Sequence, residues 1–341
     1  MTTREIMTTL ELNAENRAAI DWLLSSDEPA IRYLARRDLL GTEAAPDESA
    51  ILAGSMITTL LAGQREDGVF PGEGWSSTLW RLVALVELAI PPDEPRAIAA
   101  ADWYLDRVLG KPHHRGRPTI IDGLHRFCSN GEGHALVIGA RLGLADDPRL
   151  RRIADSLIEW QWPDGGWNCH RNASGRRSSF QESLAAAWGL HEYAAATGDS
   201  AAAAAADRTA ELYLQHRLVY SLGSGRPSRR FPHPVPAGQV IDQRWIKLGY
   251  PAYWHYDILA SMIFLTRIGR ITDPRAAGGL DLLEQRRRPD GRWAADRQWW
   301  VKPGHRFTHQ YDVVDWGVAG EPSELITLNA LRILRGAGRL D

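Results

Sequence analysis

The sequence predicts an all-α protein, an α/α toroid in which about six helical hairpins stack and close into a ring of inner and outer helices. Three observations predict it. Shifting the chain by 126 residues lays residues 143–167 over 269–293 without a gap. Asp147-Pro148-Arg149 then meets Asp273-Pro274-Arg275, and Pro163-Asp164-Gly165-Gly166-Trp167 meets Pro289-Asp290-Gly291-Arg292-Trp293. Each copy has its own helix start, with Asp at the cap and Pro in the first turn, and its own stop, an Asp-Gly turn that needs a positive φ. The segments that follow, residues 184–193 and 325–334, are apolar on nearly every face, which marks helices buried on both sides.

Taken in chain order, Asp21 to Leu24 and Pro29 to Arg32 form a weak first hairpin, with residues 1–15 peripheral to a single domain spanning 1–341. A third copy of the corner, offset by 97, runs from Leu60 through Gln64, Asp67 and Gly68 to Phe70, and Ser77-Thr78 opens the inner helix after it. Ala101 to Val108 is an outer helix, and Phe127 to His134 begins an inner one. The next outer helix carries Leu150, Ile153, Ala154, Leu157 and Ile158 on one face. Arg151, Arg152, Asp155 and Glu159 face water. Ser179 opens the following inner helix, and Ala201 to Gln215 is outer. Tyr253 to Asp257 and Ser323 open the last two inner helices. Hairpins that each bury a face on the next must stack, and closure removes the exposed ends of the stack.

Lys and Arg number 40 against 42 Asp and Glu, for a formal charge of -2. A nucleic-acid partner calls for a basic excess or a basic face, so none is expected. Two cysteines in 341 residues exclude a disulfide framework. Met1 to Leu12 lacks the apolar core of a secretory signal. No apolar run reaches the roughly 18–20 residues of a membrane span, so the expected location is cytoplasmic. Oligomeric state is not legible.

Gln161 to Trp167, Gln64 to Phe70 and Gln285 to Trp293 resemble the QW repeats of the terpenoid cyclase and protein prenyltransferase superfamily, of which squalene cyclases are members. The likeness covers residues 20–336. It implies that the Gln satisfies helix-end groups and the Trp stacks on it, so Gln161, Trp167, Gln285 and Trp293 are scaffold. It also implies an enzyme of the lyase, isomerase or transferase kind acting on an isoprenoid or similarly apolar substrate with an anionic group, a diphosphate or a carboxylate. The Asp-x-Asp-Asp acid of class II cyclases and the Asp-Asp-x-x-Asp magnesium motif are both missing. Asp146-Asp147 reads as a helix cap, and Asp312-Val313-Val314-Asp315 has a different spacing. A standard polyene cyclisation is therefore not implied. Protein prenyltransferases hold a zinc with Asp, Cys and His at their inner-helix ends; their flanking motif is not found here, so the resemblance supports a location only.

Inner-helix N-termini gather at one end of such a ring, where helix dipoles favour anions. Cys128, Cys169, His170 and His255 converge there and offer thiolate and imidazole ligands for Zn2+, with Glu132, His134 and Asp257 alongside. Asp257, Glu182 and Glu132 are the candidate catalytic acids, and Glu324 sits at a matching helix start. Trp75, Trp254, Tyr253, Arg177 and Arg244 are candidate substrate contacts, with Trp80, Trp188 and Trp316 as further cavity aromatics. Basic loops at 111–117, 171–177 and 226–233, with Lys247, face the same end. Plainer readings stay open: buried cysteines as small hydrophobes, helix-start carboxylates, core tryptophans and solvated loops. Two other function classes also stay open. One is a carbohydrate-active toroid, which needs paired carboxylates roughly 5–9 Å apart. The other is a non-catalytic ring that binds peptides or proteins.

Overall fold

The structure, a computed structural model, describes residues 13–42, 45–173, 175–223, 235–302 and 311–340. The basic loop at 226–233 and most of the peripheral N-terminal stretch lie outside the described residues. Within them the chain is mostly helical, and no helix is long and apolar enough to cross a membrane.

The chain opens with α1 (Ala14–Leu24), α2 (Pro29–Ala35), α3 (Glu48–Ala53) and α4 (Ser55–Leu61). Then come α5 (Thr78–Glu87), α6 (Pro95–Leu109) and the single turn α7 (Pro112–Arg115). A hairpin of β1 (Thr119–Ile121) and β2 (Leu124–Arg126) interrupts the helices, with Ile120 opposite His125. The sequence reading expected no strands. After it come α8 (Asn130–Arg141), α9 (Pro148–Glu159), α10 (Phe180–Thr197), α11 (Ser200–Gln215), α12 (Ile258–Arg267), α13 (Ala277–Gln285) and α14 (Glu324–Gly336).

The most buried helices, α5, α8, α10, α12 and α14, touch one another in that order, and α14 goes on to touch α2. Amphipathic α6, α9 and α11 touch in sequence outside them. α9 shows why. Asp147 accepts from Arg149 N at 2.8 Å, Pro148 fills the first turn, and Leu150, Ile153, Ala154 and Leu157 form one buried stripe. Asp273 caps in the same way, at 2.9 Å from Arg275 N. There the start is a short 3-10 turn, Pro274–Ala276, and Gly278-Gly279 follows, residues with poor helix propensity.

The corners repeat in detail. Gln161 Nε2 donates to Gly165 O and to Ala205 O of α11, both at 2.9 Å. Gln64 Nε2 donates to Gly68 O at 2.8 Å and to Arg96 O of α6 at 2.7 Å. Trp167 is fully buried; its Nε1 donates to Leu157 O and its backbone N to Ser183 Oγ, each at 3.0 Å. Trp293 repeats this with Leu283 O at 2.8 Å and Thr327 Oγ1 at 3.0 Å. Gln285 does not take the place of Gln161. It is exposed, and Arg287 stacks over Trp293 instead, 5.0 Å from the ring centre.

Gly165 and Gly291 have φ of 96° and 80°. A Cβ on Gly165 would lie 2.4 Å from Arg208 O of α11, and one on Gly291 would lie 2.3 Å from Glu15 O of α1. Only glycine permits both the turn and this approach. The C-terminal segment also meets α1 where the buried Asn16 donates Nδ2 to Leu340 O at 2.6 Å.

Candidate active site

An aromatic cavity of about 100 Å3 lies between α5, α8, α10 and α12 and is covered by residues 249–255 and by Asp312 and Trp316. Trp80, Trp188, Tyr253, Trp254 and Trp316 supply most of its ring surface. An engineered apolar cavity of about 150 Å3 holds a benzene ring, so this space seats a short apolar group. Trp254 is 44% exposed and forms its outer edge. Trp75 stands behind, stacked on Tyr253 at 4.2 Å and anchored by Nε1 to Trp299 O at 2.9 Å. His134 sits edge-on to Trp80, and burial lowers its pKa to about 4, so it is neutral near pH 7.

Asp312 is the carboxyl group in this cavity that has no cationic partner among its hydrogen bonds. It is 3% exposed. One oxygen accepts from Trp316 Nε1 at 2.9 Å and closely from Tyr253 OH. The other accepts from Val313 N and Val314 N at 2.6 and 3.2 Å. Burial raises its pKa above the ordinary carboxylate value, and the donors only partly offset that. Burial and the four donors thus act in opposite senses on this carboxyl group.

The cavity floor is ionic. Glu87 receives Arg267 Nη2 at 2.9 and 2.7 Å and also pairs with Arg141. Arg141 continues to Glu192 at 2.6 Å, and Arg267 lies over Trp188. Desolvation would raise the pKa of Glu87, but the two guanidinium charges outweigh it and bring it to about 2. Beyond this floor opens a wider cavity of about 750 Å3 among the C-terminal ends of the inner helices. Its size makes it the larger ligand space. Its Asp38 and Glu87 carboxylates are already paired, with Arg37 and Arg332 and with Arg141 and Arg267.

A second, 140 Å3 pocket adjoins the aromatic cavity and shares Gln181, Trp254 and His255 with it. Arg244 and Arg297 line it. Arg297 lies flat on Trp299 at 3.4 Å, and its buried Nε and Nη2 have no hydrogen-bond partner. Asp257 is fully buried. One of its oxygens caps α12 through Ala260 N at 2.8 Å, and Oδ2 is unpartnered. Burial pushes its acid up to about 7, against the pull of the Ala260 N–H and the charge of Arg297.

The sequence-predicted residues divide between several places. Tyr253, Trp254, Trp75 and His255 gather at the two pockets, with His255 sandwiched between Trp254 at 4.0 Å and Trp299 at 3.4 Å. Arg244 also lines the adjoining pocket and pairs with Asp242 at 2.9 Å. Arg177 is exposed, and its backbone oxygen accepts from Asn168 Nδ2 at 2.8 Å. Glu182 accepts from Ser129 N at 3.0 Å rather than facing the cavity. Glu132 is fully buried among Lys111, His113 and His114.

The proposed zinc set does not assemble. Cys128 and Cys169 both feel the Glu182 carboxylate. Both residues have surface open to solvent, yet local desolvation and Glu182 push both thiols up to about 12. They are protonated thiols near neutral pH, not thiolates. His170 is exposed and accepts from Asn172 N at 3.2 Å, while His255 is in the aromatic stack. The group of potential ligand atoms that does lie together, among the described residues, is His113, His114 and Glu132.

No family model and no curated protein matches the chain. Solved structures similar to it include a protein from Actinoplanes, at 19% identity and TM-score 0.42, over 95% of this chain and 98% of that one. They also include the type II terpene cyclase MstE from Scytonema without ligand, at 14% identity and TM-score 0.28, over 84% of this chain and 96% of that one. The same cyclase with its product merosterolic acid A gives 13% and 0.29 over the same shares.

Sequence reasoning missed Asp312 and Arg297 as site residues. Asp312 was visible in Asp312-Val313-Val314-Asp315 and set aside for its spacing. Arg297 lies in a segment with no repeat copy, so nothing in the sequence signalled it.

Proposed function

We propose that this chain is a closed α/α toroid, a single domain with QW-type corners, acting as an enzyme on a short isoprenoid or similarly apolar substrate with an anionic group. Closure is supported by the Gly291 corner, which packs on α1 as the Gly165 corner packs on α11, and by the Asn16–Leu340 contact. The observation that carries the function is Asp312: a buried acid, hydrogen-bonded to no cation among the described residues, facing aromatic rings in a cavity sized for a short apolar group.

In this reading the apolar end of the substrate enters past Trp254. Asp312, positioned by Tyr253 and Trp316, gives its proton to a carbon–carbon double bond. The proton leaves Asp312 and the alkene becomes a cation. The faces of Trp80, Trp188 and Trp254 stabilise that cation, and loss of a proton or capture of water completes the turnover. Four donors hold the carboxylate that remains. Unpartnered Arg297 donors, with Arg244, receive the anionic group in the adjoining pocket. Asp257 modulates the charge of that pocket.

A carbohydrate site would present two carboxylates along an open groove. Here the second cavity carboxylate, Glu87, is fixed between two arginines. A non-catalytic ring has no need of a dry acid among aromatic rings. The test is turnover and binding with dimethylallyl and geranyl diphosphate, read by product analysis and tryptophan fluorescence. Asp312→Asn should lower turnover by about 100-fold or more while binding persists, and Arg297→Met should weaken binding. Turnover that is unchanged in Asp312→Asn, or no binding of either diphosphate, overturns the proposal.

A further inference from the structure

We propose that His113, His114 and Glu132 form a binding site for a zinc-class divalent cation, separate from the aromatic cavity. Pro112–Arg115 makes one helical turn that aims two consecutive imidazoles at the start of α8. His113 Nε2 lies 2.7 Å and His114 Nε2 3.4 Å from the same oxygen, Glu132 Oε1. All three ligand atoms lie within 4.8 Å of one another. Two imidazoles and one carboxylate are a donor set that zinc takes up, leaving a fourth position for water.

Two further features point to a missing ligand. The side chains of His114 and Glu132 are 1% and 0% exposed. Yet among the described residues neither His114 Nε2 nor Glu132 Oε2 has a hydrogen-bond partner. A buried polar atom left unmade costs about 1–3 kcal/mol, so two in one cluster require an explanation. A cation between the ligand atoms supplies it. Phe127 and Trp160 wall the group, with His113 and His114 at 5.3 and 5.5 Å from their ring centres respectively. A low-dielectric wall strengthens a cation–carboxylate bond.

Lys111 opposes the cation. Its ammonium is 3.0 Å from Glu132 Oε1 and the side chain is 32% exposed. Zinc–ligand bonds of about 2.1 Å place tetrahedral ligand atoms about 3.4 Å apart. Entry of the ion therefore needs His113 to withdraw slightly and Lys111 to swing into solvent.

The experiment uses metal-stripped full-length protein titrated with Zn2+ by calorimetry and with Co2+ by visible absorption, with helicity checked by circular dichroism. Wild type should bind one ion per chain, with a tetrahedral-type cobalt spectrum. His113→Ala and His114→Ala should each weaken binding by more than about 10-fold, the loss that even an outer partner's removal brings. Lys111→Met should tighten it, because it removes the competing ammonium; an ion pair alone would instead lose stability without gaining metal. No binding in either wild type or Lys111→Met overturns the site, as does binding that survives the His113→Ala/His114→Ala double substitution. None of these readouts uses a substrate, so they stand or fall apart from the proposed reaction.

Discussion

Asp257→Asn should make the protein more stable at high pH. The unfolded chain releases this proton near 3.8 and the folded chain near 7. Between those values the folded state binds more protons, so stability falls as pH rises. The gap is worth up to about 4 kcal/mol at about 1.4 kcal/mol per tenfold. All of that cost is present above pH 7 and none below pH 4. Asparagine keeps the cap on Ala260 N, because its side-chain oxygen accepts as well as that of aspartate, and it removes the titration. Its amide leaves the Oδ2 side unsatisfied at every pH, so the telling quantity is the slope. Urea unfolding of both proteins at pH 4, 6 and 8 should show the stability of the variant relative to wild type rising by about 3–4 kcal/mol across the series. A difference that stays flat, or that falls with pH, refutes the claim that burial dominates at Asp257.

Three further outcomes follow from the same geometry. Glu87→Gln should cost about 3 kcal/mol at pH 7, because its acid is held at about 2 against an ordinary 4.5. That stability is present above pH 4.5 and lost as pH falls through about 2, so acid unfolding curves of the two proteins should converge there. Gly291→Ala should lower stability by about 1–3 kcal/mol through strain at positive φ and should disturb α1 first, which amide exchange of Glu15 and its neighbours would report. Cys128 and Cys169, with thiols at about 12, carry roughly 1,000-fold less thiolate at pH 8 than free cysteine. Iodoacetamide labelling should be slow for both, and Glu182→Gln should speed it.

The repeat, its caps and its corners are legible in the sequence because each is set by residues close together in the chain. Asp147-Pro148 starts a helix and Asp164-Gly165 stops one wherever they occur, and a residue pattern buried on all faces declares an inner helix. Tyr253 and His255, which the sequence offers as candidates, line the aromatic cavity. What the sequence left open was charge state. Whether a pair of cysteines is a metal site depends on what surrounds the thiols, and here burial and the Glu182 charge keep both protonated. Arg287, not Gln285, completes the last corner, because the repeat there kept the position and changed the chemistry.

The sequence alone determined a stack of helical hairpins, because hydrophobic periodicity and turn chemistry are local properties that the chain carries everywhere. Tertiary structure alone decided which acid is dry, which guanidinium lacks a partner, and which imidazoles share one carboxylate. Asp312, Arg297 and His113 lie in segments outside the repeat. Their chemistry comes from desolvation and from charges brought in across long stretches of chain, and neither has a signature in the order of neighbouring residues.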